Sequence, residues 1–335
     1  MRVTDKEDVA LIQQLATEYT NARLARMRAY RGCVEGLIHF SQYYGVSKIL
    51  KSILFFNYRM LKRSLLNLTE EHVIEVNGCR LSTIPNDHGI SAELLVFKTH
   101  EPLTTKLLKK ELKKGMICLD IGANIGYYAL LERKIVGSEG RVIAVEPSPL
   151  NFSYLKKNLR QNGFNDVEAF KFALSDSNGQ VLFLIAMNSN WSRVVDVKDP
   201  SLEGAIINVP ARSLDSFMTQ YHLDKLDFLR MDVEGHEIKI FNGGRRTIEN
   251  FRPTLLLEIH EDLIGLKETV SFLQSLKSFG YNVSYFIPRS LDMPLIGSIN
   301  DVQEIDISHL IEKLTEGLLP ACFHLLLANT QVGIA

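Results

Sequence analysis

The sequence predicts an α/β fold: an open, largely parallel seven-stranded sheet with helices on both faces, preceded by an N-terminal helical segment. Three observations carry this. Short apolar runs of strand length recur from Met116 onward and alternate with amphipathic stretches of about ten to fifteen residues, the pattern of strand–helix–strand units with right-handed crossovers. The first run ends in Asp120-Ile121-Gly122-Ala123-Asn124-Ile125-Gly126, an acidic strand end followed by a glycine turn into a helix. The second ends in Glu146-Pro147, about twenty residues later, where strand–helix–strand nucleotide sites place an acid on ribose hydroxyls.

The elements follow in order. Residues 5–68 lack proline and carry apolar side chains at helical spacing, as in Val9, Leu11, Ile12, Leu15 and Tyr19, then Ile49, Leu50, Ile53, Leu54 and Leu61. Two or three helices are expected, forming an accessory segment over 1–72. The α/β domain then occupies 73–335. Its lead-in, 73–113, opens with a hairpin about Asn77-Gly78, is expected to stay β-rich as far as Pro102, and closes with a helix over Thr104–Lys113. The core, 114–290, reads as strand Met116–Asp120, helix Ile125–Val136, strand Val142–Glu146, helix Pro149–Asn162 and strand Val167–Phe172. An inserted pair of strands, Gln180–Ala186 and Ala205–Ala211, flanks the polar loop Asn188–Gly204. Helix Leu214–Tyr221, strand Leu226–Asp232, helix Ile238–Asn250, strand Thr254–Ile259, helix Lys267–Phe279 and strand Asn282–Phe286 complete it. The C-terminal segment, 291–335, carries a last strand at Phe323–Leu327.

Composition narrows the function classes. With 335 residues, 46% hydrophobic, the chain can build a substantial core. A net charge of −1 gives no global signature of nucleic-acid binding. Residues 1–65 nevertheless hold eleven Lys/Arg against five Asp/Glu, which reads either as an ordinary solvated helical face or as a surface for anionic lipid or a lipid-linked acceptor. Cys33, Cys79, Cys118 and Cys322 stand far apart without a Cys-x-x-Cys pair, which fits a reducing cytoplasm rather than a disulfide framework. The N-terminus lacks the apolar core of a signal peptide, and no run of about eighteen apolar residues spans a bilayer.

Gly122 and Gly126 let backbone approach a ligand, and the helix opening near Asn124 directs N–H groups at it. The dinucleotide pattern Gly-x-Gly-x-x-Gly and the phosphate-loop pattern Gly-x-x-x-x-Gly-Lys-Ser/Thr are both absent. An acid before the turn repels phosphate and suits a cationic ligand. Asp120 for an ammonium and Glu146 for a ribose together describe S-adenosylmethionine.

The successive motifs Asp120-Ile-Gly-Ala-Asn-Ile-Gly-Tyr-Tyr, Glu146-Pro-Ser-Pro, Asn158-Leu-Arg-Gln-Asn-Gly163, Ala173-Leu-Ser-Asp176, Leu214-Asp215-Ser-Phe217 and Met231-Asp232-Val-Glu-Gly-His-Glu237 resemble, in order and spacing over roughly 85–290, those of FkbM-type methyltransferases. The resemblance implies a Rossmann-like, S-adenosylmethionine-dependent methyltransferase, usually acting on a hydroxyl oxygen. It places Asp120, Gly122, Ala123, Asn124, Gly126, Glu146, Pro147, Ala173 and Asp232 at the cofactor, Ala173 through backbone groups near the adenine.

Methyl transfer to an alcohol needs alignment and a base or a metal. His236, after Asp232-Val233-Glu234-Gly235, and His260, after the Glu258 strand end, are the candidate bases, with Asp232 beside them. Asp232 and Glu234 face opposite sides if the strand continues through them, which leaves Asp232 facing the cofactor. Asp232, Glu258, His260, Glu261 and Asp262 offer ligands for Mg2+, although no short motif demands it. Asn188-Ser189-Asn190-Trp191-Ser192-Arg193 is the expected acceptor loop, its tryptophan suited to stacking on a sugar. The acceptor is expected to be a hydroxyl on a sugar, glycolipid or secondary metabolite. The alternatives are an N-, protein or RNA methyltransferase, of which methylation of planar amines is disfavoured by the lack of an Asn-Pro-Pro-Tyr motif, and a non-catalytic cofactor-binding or interaction module.

Overall fold

A computed structural model describes residues 68–329, apart from 187 and 197–203, together with Lys51, Leu54, Phe55 and Tyr58. The chain divides into two compact units, Met1–Asn57 and Tyr58–Ala335, and the architecture below is that of the second. Except for those four positions, the expected N-terminal helices and their basic stretch lie outside the described residues.

Strands β1 (Val73–Val76) and β2 (Cys79–Ser82) form the hairpin, turned by Asn77 and Gly78 at φ 53° and 70°, the positive pair a type I′ turn requires. The rest of the lead-in is helical rather than β-rich: α1 (Ile90–Phe97) and α2 (Pro102–Glu111) follow. The Ile-Ser-Ala-Glu-Leu-Leu-Val-Phe run of α1 has apolar residues without a helical stripe because six of its eight residues are buried. Proline in the first turn of α2 and lysines in its last turn suit its ends.

The alternating core then runs β3 (Ile117–Ile121), α3 (Tyr127–Val136), β4 (Arg141–Val145), α4 (Pro149–Gln161) and β5 (Glu168–Phe170). Short β6 (Ala173–Ser175), long β7 (Gly179–Ala186), β8 (Arg193–Val195) and β9 (Gly204–Ser213) form a separate four-stranded sheet in the order β6-β9-β7-β8, larger than the strand pair expected from sequence. After α5 (Leu214–Gln220) and β10 (Phe228–Met231), the helix expected over 238–250 is two helices, α6 (Glu237–Gly243) and α7 (Arg245–Phe251). They part at Gly243-Gly244, where a Cβ on Gly243 would lie 2.1 Å from the Ser175 carbonyl oxygen. The chain closes through β11 (Thr254–His260), α8 (Glu261–Ile264), α9 (Leu266–Ser278), β12 (Tyr281–Pro288), α10 (Ile307–Thr315) and β13 (Cys322–Asn329).

The main sheet has seven strands in the order β12-β13-β11-β10-β3-β4-β5. The run from β11 to β5 is parallel, while β13 inserts antiparallel between β11 and β12. Side chains alternate between two cores, as strands covered on both faces require. Leu119, Ile121, Ile143 and Val145 pack toward α5, α6 and α9; Cys118, Val142 and Ala144 pack toward the hairpin and α1–α4. This is the Rossmann-like doubly wound arrangement, and its ligand crevice lies at the carboxyl ends of β3, β4 and β10. Among the described residues no helix is long and apolar enough to cross a membrane.

Candidate active site

The turn after β3 is built by backbone conformation. Gly122 sits at φ +83°, and a Cβ there would fall 1.9 Å from the Asp232 carbonyl oxygen, so the glycine is dictated by the neighbouring β10 end before any ligand arrives. Gly122 and Ala123 both donate N–H bonds to the Val145 carbonyl, at 3.0 and 3.1 Å, tying the two strand ends together. Asn124, at φ 49°, donates its N–H to Glu146 Oε2 at 2.8 Å, while Ser148 N–H donates to Glu146 Oε1 at 2.8 Å. Glu146 is therefore fixed in orientation, and each oxygen keeps a second lone pair. Burial pushes its carboxyl up to about 7 against the pull of those two N–H groups.

Asp120 does not take the position expected of it. It is fully buried, and its Oδ1 accepts from Arg230 Nη1 at 3.0 Å. Arg230 stands beside it in the β3–β10 register, reaches Asp232 Oδ2 at 2.7 Å through Nη2, and stacks 4.0 Å from the Tyr128 ring centroid. Asp120 therefore holds a cation that itself faces the crevice, rather than meeting a ligand ammonium directly. Gly126, at φ +91°, is also set back: it starts α3 where a Cβ would meet Leu155 Cδ1 at 2.8 Å.

Strand β10 ends at Met231, and the chain turns through Glu234 at φ 53° and Gly235 at φ 95°. The expectation that Asp232 and Glu234 point apart assumed a continuing strand; the turn brings both to the crevice. Asp232 is held near the Arg230 guanidinium, yet burial and the Glu258 charge push it up to about 7. Glu234, pushed by burial to about 8, has Oε2 3.2 Å from His260 Nε2. Glu237 Oε1 accepts from Gly235 N–H at 3.1 Å.

Two cavities meet here. The first is lined by Gly122, Ala123, Asn124, Glu146, Pro147, Ala173 and His236 among others; the second by Trp191, Glu258, His260, Arg289 and Cys322 among others. Asp232, Glu234, His100, Asn190 and Arg193 line both. The two histidines thus part company. His236 occupies the N-cap position of α6 without a side-chain cap bond; its Nε2 lies 3.0 Å from Ser175 Oγ, and burial with nearby Lys239 holds it down to about 4. It is a neutral wall of the first cavity. His260 lies in the second, with Glu234, Glu237 and Glu258 around it holding it charged well above the usual histidine range.

The loop that begins at Asn188 is anchored from beneath. Buried Asp87 accepts from Ser189 N–H at 2.9 Å and Ser189 Oγ at 2.8 Å, and Asn151 Nδ2 donates to the Ser189 carbonyl at 3.2 Å. Trp191, 56% exposed, then stands at the second cavity. Of the residues expected to ligate a metal, Glu258 and His260 fall within one cluster of potential ligands, whereas Asp232, Glu261 and Asp262 do not: the latter two already belong to α8. Arg230, Asp87, Arg289 and His324 were not singled out in the sequence. Arg230 left one signal, a lone arginine between Leu229 and Met231 inside an apolar strand.

Residues 120–283 match the family described as Methyltransferase FkbM domain. The chain is similar to the hexuronic acid methyltransferase AglP of Haloferax volcanii, 27% identical over 156 residues that cover 46% of this chain and 60% of that protein. It is also similar to the 2-O-methyltransferase NoeI of Sinorhizobium fredii, 25% identical over 182 residues, 49% of this chain and 70% of that one. Among solved structures, methyltransferase FkbM from Methylobacillus flagellatus KT is 17% identical, with a TM-score of 0.40, covering 64% of this chain and 44% of that one. The chain therefore spans about 60% of the length of the first of these relatives. The match begins at Asp120 and takes in the Gly122 turn, Glu146 and the Asp232–Glu237 turn whose geometry is described above, so it is residues 120–283 that are similar to the methyltransferase FkbM domain.

Proposed function

We propose that the protein transfers the methyl group of S-adenosylmethionine to a hydroxyl oxygen of a sugar-like acceptor. The observation that carries this reading is the junction: a cavity at the β3 and β4 ends meets, at Asp232 and Glu234, a second cavity with an exposed tryptophan. The cofactor fits the residues present. The Gly122–Asn124 turn gives a close backbone wall, and the fixed Glu146 carboxylate offers its remaining lone pairs to a ribose diol. When bound, S-adenosylmethionine supplies an electrophilic methyl carbon on a sulfonium sulfur.

The chain's own residues then have distinct tasks. Arg230 pins Asp232 Oδ2, which leaves Oδ1 as the oxygen that would take the proton of the acceptor hydroxyl. A carboxyl raised to about 7 is matched to that task near neutral pH. Glu234 orients the acceptor through a second hydrogen bond, and Trp191 offers a face for a sugar ring. His236 shapes the cofactor wall, since a group held near 4 is a weak base. The named chemistry of the curated relatives, on a hexuronic acid and at a 2-hydroxyl, supports an oxygen acceptor on a glycan. The accessory segment over 1–72 would deliver a lipid-linked acceptor.

The test is methyl transfer from labelled S-adenosylmethionine to fractionated glycans and lipids. Label in a glycan or glycolipid hydroxyl is expected, lowered about 10²–10⁴-fold in Asp232→Asn; label confined to protein or RNA would refute the reading.

A further inference from the structure

The wall of the second cavity opposite the cofactor carries an arrangement that methyl transfer does not require. In the antiparallel β11–β13 pair, Glu258 stands opposite His324 and His260 opposite Cys322. Residues two apart on a strand share a face, and directly opposed residues share it across the ladder. The register therefore gathers two histidines, a glutamate and a cysteine into one patch, on two strands already locked side by side.

Distances within the patch are those of a ligand set. Cys322 Sγ lies 3.3 Å from Glu258 Oε1, and His260 Nε2 lies 3.7 Å from the same oxygen. One ligating atom from each of Glu258, His260 and Cys322 falls within 4.8 Å of the others. Bond lengths typical of zinc set tetrahedral edges of about 3.3–3.6 Å, so modest side-chain rotation closes the triangle around an ion. A second observation points the same way. His324 is 2% exposed and neither of its ring nitrogens makes a hydrogen bond, although Nε2 lies 3.5 Å from both Glu258 Oε2 and Glu101 Oε2 and Nδ1 lies 3.6 Å from Asp292 Oδ2. It stands behind Glu258, where a histidine orients a ligand carboxylate. Arg289 Nε donates to Glu258 Oε1 at 3.1 Å.

We propose that Glu258, His260 and Cys322 form a site for a divalent transition ion of the zinc type, with His324 positioning Glu258 and a fourth coordination position open to the second cavity. Thiolate and imidazole ligands select such an ion over Mg2+, which prefers an all-oxygen shell. Binding replaces the Cys322 thiol proton, now directed at Glu258, and the proton on the imidazole nitrogen that faces the ion; both leave to solvent. The open position points into the space proposed for the acceptor, and would take an acceptor oxygen if that reading holds, but the site itself does not depend on it.

The test uses the full chain, freed of metal by dialysis against chelator and titrated with Co2+. A near-ultraviolet thiolate-to-cobalt band and visible bands of a four-coordinate ion are expected, lost on adding Zn2+ and unaffected by Mg2+. Cys322→Ser should abolish the thiolate band, and His324→Gln should weaken Co2+ binding by roughly 10–100-fold. Calorimetry of S-adenosylhomocysteine on the same samples checks folding and reports separately on the methyltransferase reading. Iodoacetamide labelling of the unmutated protein, read at Cys322 by mass spectrometry, should slow by about tenfold or more when Co2+ is present. No thiolate band, a band that survives Cys322→Ser, or Cys322 labelling indifferent to Co2+ would each overturn the site.

Discussion

Replacing Arg230 by methionine tests how the cofactor crevice is held together. Arg230 is 4% exposed and its guanidinium joins Asp120, fully buried, to Asp232, with the Tyr128 ring 4.0 Å away. On the far side, Glu132 is also fully buried, its carboxyl oxygens have no hydrogen-bond partner among the described residues, and burial with the Asp120 charge pushes it well above the usual carboxylate range. Burial also pushes the Asp120 carboxyl up, and the Arg230 guanidinium 3.0 Å away opposes that push. Methionine of similar length preserves most of the packing and removes that opposition. Breaking a buried pair from one side costs about 3–5 kcal/mol, to which the lost ring contact adds about 1 kcal/mol. Urea denaturation at pH 7 should show a loss of that order. Adding Asp120→Asn removes the stranded charge, and the double variant should recover roughly 1–3 kcal/mol relative to Arg230→Met. A loss below about 1 kcal/mol for Arg230→Met, or strict additivity in the double variant, would refute the electrostatic account.

Two further outcomes follow from the geometry of the first cavity. Glu146→Ala should weaken S-adenosylhomocysteine binding by roughly 1–3 kcal/mol through lost charge-assisted bonds to the ribose, read by calorimetry; unchanged affinity would remove Glu146 from the site. His236, held down to about 4 from an ordinary 6.5, favours the folded state in its neutral form. Its contribution is complete above about pH 6.5 and is lost as pH falls toward 4, roughly 3 kcal/mol in all, so His236→Gln should flatten the stability curve between those limits, and an unchanged slope would contradict the assigned environment.

Much of the crevice was legible because its parts are local. The apolar strands, the Asp120–Gly126 turn and Glu146-Pro147 each declare themselves within a few residues, and the alternation of strands and helices sets their order. What stayed hidden depends on register or on backbone. The Arg230–Asp120 pair joins positions 110 residues apart in sequence, and only the β3–β10 pairing makes them neighbours. Glu234 reaches the junction because it adopts a left-handed conformation that strand periodicity does not anticipate. Cys322 and His324 meet β11 because β13 inserts antiparallel beside it, an order set by the whole sheet. Gly243, at the end of α6, is kept free of a Cβ by the Ser175 carbonyl, a distant contact, and α1 escapes periodicity because it is buried nearly all round.

A crystal structure of the full chain with S-adenosylhomocysteine tests the central claim most directly. The account predicts the ribose hydroxyls within hydrogen-bond reach of Glu146, backbone of the Gly122–Asn124 turn against the ligand, and the sulfur facing the junction beside Asp232 with the second cavity beyond it. A ligand seated elsewhere, or one whose sulfur points away from Asp232, would contradict it.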